Sequence, residues 1–261
     1  MSDSTYLVSV PVTPEYVLAV FRDNHRQAVR IDECCDPTMD LTLDSTVEEW
    51  RYALDLLEWR ELGRAMNESW RINCSDAAWY GVLHPPRRRG ACVAQLISWN
   101  AMRDELRPLS IAGTQCLPAA AFLAVNDCLA SNGVDVSNLA PSTPLCEYAR
   151  RNLMTLLGPI SRLAPGALPD VEVAVPEDGS LLTLGCVGVC LGLLGLIVRF
   201  AGGDPGPVWA IALILQLLMI VGSWLQKPRE LTSVTFGELH TFRDLANCIA
   251  AGVAKRSATI Q

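Results

Sequence analysis

Apolar residues in the first 175 positions recur at spacings of three and four, which is typical of one face of a helix. Tyr16, Val17 and Val20 follow this spacing within a helix predicted from Glu15 to about Val29. Thr13 is its expected N-cap, and Pro14 suits the first helical position. Alternation of apolar and polar residues, the sign of a strand, is scarce. The pattern therefore predicts an all-α fold of cytoplasmic helical bundles.

Further helices follow from the same spacing and from capping signals. Asp44–Glu49 contains a capping box that opens a long helix. A loop covers Asp32–Leu43 before it, and the predicted helices are Trp50–Trp70, about Asp76–Gly81, Ala91–Leu106, Pro118–Ser131, Glu147–Leu163 and a last short one within Thr235–Ala250.

These helices suggest two similar four-helix units. Pro141–Pro144 precedes the helix at Glu147 much as Ser45–Val47 precedes the helix at Trp50, and the last helix occupies the place of Gly90–Ile97. The predicted domains are residues 1–110 for one unit, then 111–175 and 226–261 for the two parts of the second. Two unrelated helical segments remain the alternative.

Residues 181–225 interrupt the second unit with two long apolar runs. Residues 181–200 contain one charge, Arg199, and residues 208–225 contain none. Each run covers roughly 30 Å as a helix, the thickness of a bilayer core. The glycines and prolines of the turn 201–207 favour a reversal, so the pattern predicts a transmembrane helical hairpin. A pair of buried core helices is the alternative.

Small and amphipathic residues in this hairpin suggest roles in packing and at the membrane interface. The glycines form a stripe that suits close approach of the partner helix or of a second copy of the chain, and Gln216 is expected to face a neighbouring helix. Tryptophans and basic residues prefer the interfaces. The packing set is Gly185, Gly188, Gly192, Gly195 and Gln216, and the interface set is Trp209, Trp224, Lys227 and Arg229.

The predicted localisation is an integral membrane protein with two spans. A short turn leaves both flanking segments on one side, and the basic residues after the second run favour the cytoplasm for the N- and C-terminal segments. The first 16 residues contain no basic region followed by a long apolar run, so no signal peptide is expected.

Each helical unit resembles an acyl carrier protein. The resemblance lies in the capped opening Asp44–Glu49, in Asp55-Leu56-Leu57-Glu58, in Met66–Ile72, and in Thr241–Leu245 at the start of the last helix. It implies a small helical carrier fold. However, Leu56 occupies the position that resembles the serine of the family's phosphopantetheine site, and leucine has no hydroxyl group. Carrier chemistry is therefore not expected, and no cofactor is predicted.

Charge narrows the range of partners. The net charge is −7, and residues 1–180 contain 24 acidic against 15 basic groups, which argues against nucleic-acid binding. Arg87, Arg88 and Arg89 are the exception. They suit a solvated turn or, as the functional alternative, a contact with anionic lipid headgroups.

No spacing typical of a catalytic or metal site is present, so neither kind of site is predicted. His25, His84 and His240 lie far apart, and no cysteine has a local nucleophile signature. The predicted function is a membrane-anchored helical interaction or scaffold module without catalysis, which binds membrane lipids and an unidentified protein and can self-associate through the glycine stripe. The alternative is an enzyme or lipid-handling subunit that acts on acyl or membrane substrates.

Overall fold

The computed structural model describes residues 6–54, 56, 58–84, 87–174 and 233–259. Residues 1–173 and 233–261 form one compact unit, and residues 174–232 form a second. In chain order the described elements are β1 Leu7–Pro11, α1 Pro14–Ile31, α2 Val47–Ala53, α3 Trp59–Trp70, α4 Asp76–Leu83, α5 Gly90–Asn100, β2 Met102–Leu106, β3 Leu109–Ile111, β4 Thr114–Cys116, α6 Leu117–Ser131, α7 Leu145–Leu163, β5 Glu172–Ala174, β6 Ser233–Thr235 and α8 Phe242–Thr259.

The prediction of an all-α fold is wrong, because the helices are accompanied by three small antiparallel sheets. In the first sheet β1 pairs with β2, from Leu7 opposite Leu106 to Pro11 opposite Met102. The helix predicted over Ala91–Leu106 ends at Asn100, and its last residues form β2 instead. Long-range pairing decides this conformation, since the local sequence Met102–Leu106 suits a helix as well.

The start of α1 confirms the predicted cap. The Thr13 hydroxyl accepts a hydrogen bond from the backbone N–H of Tyr16, and Pro14 occupies the first turn. Val17 and Val20 on the inner face are buried. A polar N-cap and a proline at the first position satisfy or remove donors that have no partner inside the helix.

The helix predicted over Trp50–Trp70 is two helices. The capping box between Thr46 and Glu49 is present at the start of α2, but this helix ends at Ala53 and α3 begins at Trp59. We call the described residues up to 110 the first half, and residues 111–174 with 233–259 the second half. At the corresponding place in the second half, α7 is kinked at Asn152.

Aromatic residues fill the core of the first half. The Phe21 and Trp50 rings stack with centroids 4.8 Å apart, and the Trp70 ring meets Phe21 edge-on at 6.4 Å. Trp79 is buried, and its ring N–H donates to Asn67 Oδ1 at 3.1 Å. Buried aromatic pairs contribute through both area and ring geometry, so these residues hold α1, α2, α3 and α4 together.

One pattern of backbone hydrogen bonds occurs in both halves. Val47 N donates to Arg88 O at 2.8 Å, and Leu145 N donates to His240 O at 2.9 Å. Gly90 N donates to Ser45 O in the first of these turns, as Phe242 N donates to Thr143 O in the second. Ala91 N donates to Leu43 O, and Arg243 N donates to Pro141 O, in the same two places. Duplication of the unit stays a prediction, and these shared contacts support it.

The helices that flank these turns also share the same spacing of buried positions. The buried positions Tyr16, Val17, Val20, Phe21 and His25 of α1 have the same spacing as Ala120, Ala121, Ala124, Val125 and Leu129 of α6. Likewise, Val93, Ala94 and Ile97 of α5 have the spacing of Leu245, Ala246 and Ile249 of α8. The helix pairs α1/α5 and α6/α8 therefore bury equivalent faces.

The assignment as a two-span integral membrane protein is corrected. Within the described ranges, no helix has both the length and the apolar character that crossing a bilayer requires. Their longest helices, α1, α7 and α8, each contain four or five charged residues, which are costly in hydrocarbon. The predicted hairpin at 181–225 lies outside the described residues, as do its packing and interface sets. The predicted boundaries of the helical units stay predictions.

Candidate functional site

Few of the residues singled out from sequence lie in the described part of the chain. Leu56 is partly buried against the core of the first half, and its backbone N–H donates to Arg51 O at 3.0 Å. Arg87, Arg88 and Arg89 are exposed, and Arg89 forms an ion pair with Asp44 at 2.9 Å. The resemblance to acyl carrier proteins and the lipid contact of these arginines stay predictions.

The structure instead brings three other arginines to one cleft, which we call the arginine cleft. It consists of two neighbouring hollows of about 270 Å³ and 420 Å³. Arg103 lines the smaller hollow only, whereas Arg71 and Arg162 line both. The residues common to both hollows are Ser69, Trp70, Arg71, Pro159 and Arg162. These volumes fall in or near the range of small-ligand pockets.

Separate elements supply the arginines. Arg71 is the C-cap of α3, Arg103 lies on β2, and Arg162 lies in the last turn of α7. The cleft therefore exists only where the two halves of the chain pack against each other.

Arg71 has an unusual backbone conformation. Its φ of 53° and ψ of 42° place it in the left-handed region, where its N–H closes the end of α3 on the carbonyls of Asn67 and Glu68. Glycine is the usual residue at such a helix end, since a side chain there costs roughly 1 kcal/mol. An arginine in this position suggests that its side chain has a role that outweighs the strain.

The guanidinium groups of Arg71 and Arg162 form no ion pair or side-chain hydrogen bond with any described residue. Burial lowers the pKa of Arg162, and the charge of Arg71 lowers it further, while Cys128, Tyr16 and Asp104 oppose this effect. Arg162 is half-buried and Arg71 is exposed, so the repulsion between the two positive charges acts on a guanidinium group that has already lost part of its hydration.

Tyr16 forms part of the wall of the smaller hollow. Its hydroxyl donates to the backbone carbonyl of Arg162. The guanidinium carbons of Arg103 and Arg256 lie 4.5 Å and 5.9 Å from the centre of its ring. Burial raises the pKa of the phenol, although both arginines act in the opposite direction, so Tyr16 is neutral at physiological pH.

Each of the two hollows has one acidic residue in its lining. Asp104 lines the smaller hollow and Glu68 the larger, but neither lines both. Arg103 also has an ion pair with Glu105, at 3.3 Å. The part common to both hollows contains two arginines and no acid, and is therefore the most positive place in the cleft.

The one cysteine of the cleft does not suit nucleophilic catalysis. Burial raises the pKa of the Cys128 thiol, and the opposing effect of Arg162 and Arg71 is smaller. The thiolate, which is the reactive form, is therefore scarce at neutral pH. No histidine lines either hollow. His25 instead contacts the backbone oxygen of Asp36, and His84 stacks on Tyr80.

Neither a protein family, nor a curated protein, nor a solved structure matches this chain.

Sequence reasoning missed the arginine cleft. Arg71 and Arg162 are far apart along the chain, and neither belongs to a recognisable motif. The one local signal is the absence of glycine after Trp70, where α3 ends. That signal becomes visible only when the end of the helix is known.

Proposed function

We propose that this chain is a non-catalytic binding module whose arginine cleft receives an anionic group of its partner. The observation that carries the proposal is the pair Arg71 and Arg162. Both residues line both hollows, the charge of Arg71 acts against that of Arg162, and neither guanidinium group forms an ion pair or a side-chain hydrogen bond with a described residue.

An anion bound between them would relieve this repulsion. A like charge beside the half-buried Arg162 is unfavourable, and an anion bound between Arg162 and the exposed Arg71 would replace the repulsion with two charge-assisted hydrogen-bonding contacts. Arginine suits this role because its planar group presents several donors and keeps its charge even when burial lowers its pKa. The strained backbone of Arg71 is consistent with selection for binding rather than for stability.

The chemistry of the cleft favours binding over catalysis. Catalysis by a nucleophile needs an activated group next to a base, and the Cys128 thiol, with its raised pKa, has no histidine beside it in the lining of the cleft. The Tyr16 hydroxyl is engaged with a backbone carbonyl. These groups suit a ligand that is held and not transformed.

Isothermal titration calorimetry on the full chain tests the proposal. The probes are phosphate, sulfate and malonate at constant ionic strength. At least one of these dianions is expected to bind, and the variant Arg162→Gln is expected to bind it at least about tenfold more weakly, because one charge-assisted contact is worth on the order of 1.5–3 kcal/mol.

The matched control is Arg88→Gln, since Arg88 is exposed and lies outside the cleft. This variant should bind like the unchanged chain. Failure of all three dianions to bind, or equal binding by Arg162→Gln, would overturn the proposal. Circular dichroism of each variant establishes that a loss of binding does not reflect unfolding.

A further inference from the structure

We infer that the group received by the arginine cleft is a phosphate monoester. This inference rests on the proposed function and names the chemical class of its ligand. It follows from the number of guanidinium groups at the centre of the cleft, from the position of the acids, and from the uncharged donors around them.

Two unpaired guanidinium groups match a phosphate better than a carboxylate. A carboxylate presents two oxygens in one plane, and one arginine satisfies both. A phosphate monoester presents three acceptor oxygens and a charge of about −1.5 to −2 at pH 7. Arg71 and Arg162 come from different elements, so each can approach a different oxygen of one tetrahedral group.

The positions of the acidic residues indicate where the anionic group of the ligand would lie. Asp104 and Glu68 would repel a dianion, but each lines only one hollow, while the lining shared by both hollows includes no acid. A phosphate located between Arg71 and Arg162 is therefore nearest to the positive groups. Its ester substituent would extend into one of the two hollows, and the larger offers about 420 Å³.

Uncharged donors are available on the larger side. The Thr155 hydroxyl and the Asn24 amide line this hollow, and neither side chain has a hydrogen-bond partner in the part of the chain that the structure describes. The Ser69 hydroxyl, in the shared lining, is held by the carbonyl of Met66 at 3.3 Å, a long contact that an anion can replace. These groups can satisfy an oxygen that the arginines leave free.

The source of the phosphate can be a small phosphate ester or a phosphorylated side chain of a protein. Titration calorimetry compares inorganic phosphate, O-phosphoserine and a phosphoserine peptide with malonate, a dianion whose oxygens belong to two carboxylates. The phosphate compounds are expected to bind at least about tenfold more tightly than malonate, and Arg162→Gln and Arg71→Gly should each remove that preference.

The outcomes distinguish the proposed binding of an anion from the inferred preference for a phosphate. Malonate binding as tightly as phosphate, and depending on Arg162, would overturn the phosphate inference and leave the proposed function standing. Absence of binding by every dianion would overturn both. A peptide that binds more tightly than O-phosphoserine supports a phosphorylated protein as the source, and equal binding supports a small phosphate ester. Arg88→Gln, the control outside the cleft, should retain the preference for phosphate.

Discussion

The hydroxyl of Tyr16 on α1 donates a hydrogen bond to the backbone carbonyl of Arg162 in the last turn of α7. This carbonyl is one of the last four of the helix, which have no partner inside it. The bond thus closes the end of α7 and fixes that end to the first half of the chain. Since Arg162 also supplies a guanidinium group to the arginine cleft, the packing of the halves and the geometry of the site depend on the same contact.

Removal of this hydroxyl is expected to destabilise the fold. Tyr16→Phe keeps the ring and its contacts with the guanidinium groups of Arg103 and Arg256, but removes the hydroxyl that donates to the Arg162 carbonyl and that also interacts with these two arginines. A loss of about 1–2 kcal/mol in the free energy of unfolding should result, measured by urea denaturation. Tyr52→Phe is the matched control, because the Tyr52 side chain is 83% exposed. Equal stability of the two variants would show that the Tyr16 bond contributes nothing.

Arg71→Gly is expected to stabilise the protein while it weakens anion binding. Arg71 has a φ of 53°, a conformation that glycine adopts without strain, so the free energy of unfolding should rise by about 0.5–1 kcal/mol. Calorimetry should show the loss of binding in the same sample. A residue retained only for the fold would give the opposite result on stability, and a variant that is more stable and binds normally would remove Arg71 from the site.

Two glycines in neighbouring helices should respond in opposite directions to alanine. A Cβ at Gly63 would lie 2.8 Å from Cγ of the buried Trp79 ring, whereas a Cβ at Gly81 would meet nothing within 4 Å. Gly63→Ala is expected to cost about 1–3 kcal/mol through overpacking. Gly81→Ala should instead stabilise α4 by about 0.5–1 kcal/mol. Thermal unfolding followed by circular dichroism measures both, and a shift of the same sign would contradict the packing of α3 on α4.

Asp170 should contribute to stability at neutral pH and lose its contribution in acid. Hydrogen bonds from Arg26, and then from Arg30, hold the pKa of its carboxyl below the ordinary value, against the effect of burial. A depressed folded-state pKa stabilises the fold above the unfolded-state pKa of about 4. That stabilisation is lost as the pH falls through the folded-state value.

Urea denaturation of the unchanged chain and of Asp170→Asn at pH 7 and pH 3 measures this effect. Asparagine should be destabilising at pH 7, and the difference should shrink at pH 3. The control Glu33→Gln removes an exposed carboxylate that has no ion pair with a described residue, and should show little change at either pH. A deficit of Asp170→Asn that is the same at both pH values would contradict the assignment.

Local signals in the sequence predicted the helices and their starts more reliably than the rest of the fold. Thr13 and Pro14 marked the start of α1, and the pair Thr46 and Glu49 marked the start of α2, because capping depends on residues within one turn. The strand Met102–Leu106 carried no such signal. Its conformation is fixed by pairing with Leu7–Pro11, nearly 100 positions earlier, which no local window contains.

The arginine cleft was unpredictable for a related reason. Arg71 and Arg162 matter because they lie close together and because neither forms an ion pair with a described residue, and the spacing of residues along the chain predicts neither property. The similarity of the two predicted units, which stays a prediction, was easier to infer, since the turn before Val47 and the turn before Leu145 are both formed by neighbouring residues. Sequence therefore indicated which segments resemble each other, but not which side chains meet when the halves pack.

Residues 175–232 separate β5 from β6 along the chain. These strands pair with each other in an antiparallel sheet, so the chain leaves the first compact unit and re-enters it at neighbouring points. Both points are fixed within this unit. Val171 N donates to Gln27 Oε1 at 3.1 Å, and Gln27 Nε2 donates to Pro169 O at 3.0 Å, while Val234 and Phe236 are buried.

Replacement of residues 176–231 by a short Gly-Ser linker should therefore leave the first unit folded, because a shorter loop costs less entropy to close. Its near-ultraviolet circular dichroism should retain the signal of the packed Phe21 and Trp50 rings. Its dianion binding should equal that of the full chain, because every described residue that lines the arginine cleft lies outside the removed segment. Linkers of four and ten residues provide the control for strain at the junction. An excised chain that is unfolded with both linkers would show that the first unit requires the removed segment for stability, whereas one that is folded but unable to bind would contradict the location of the site in the arginine cleft.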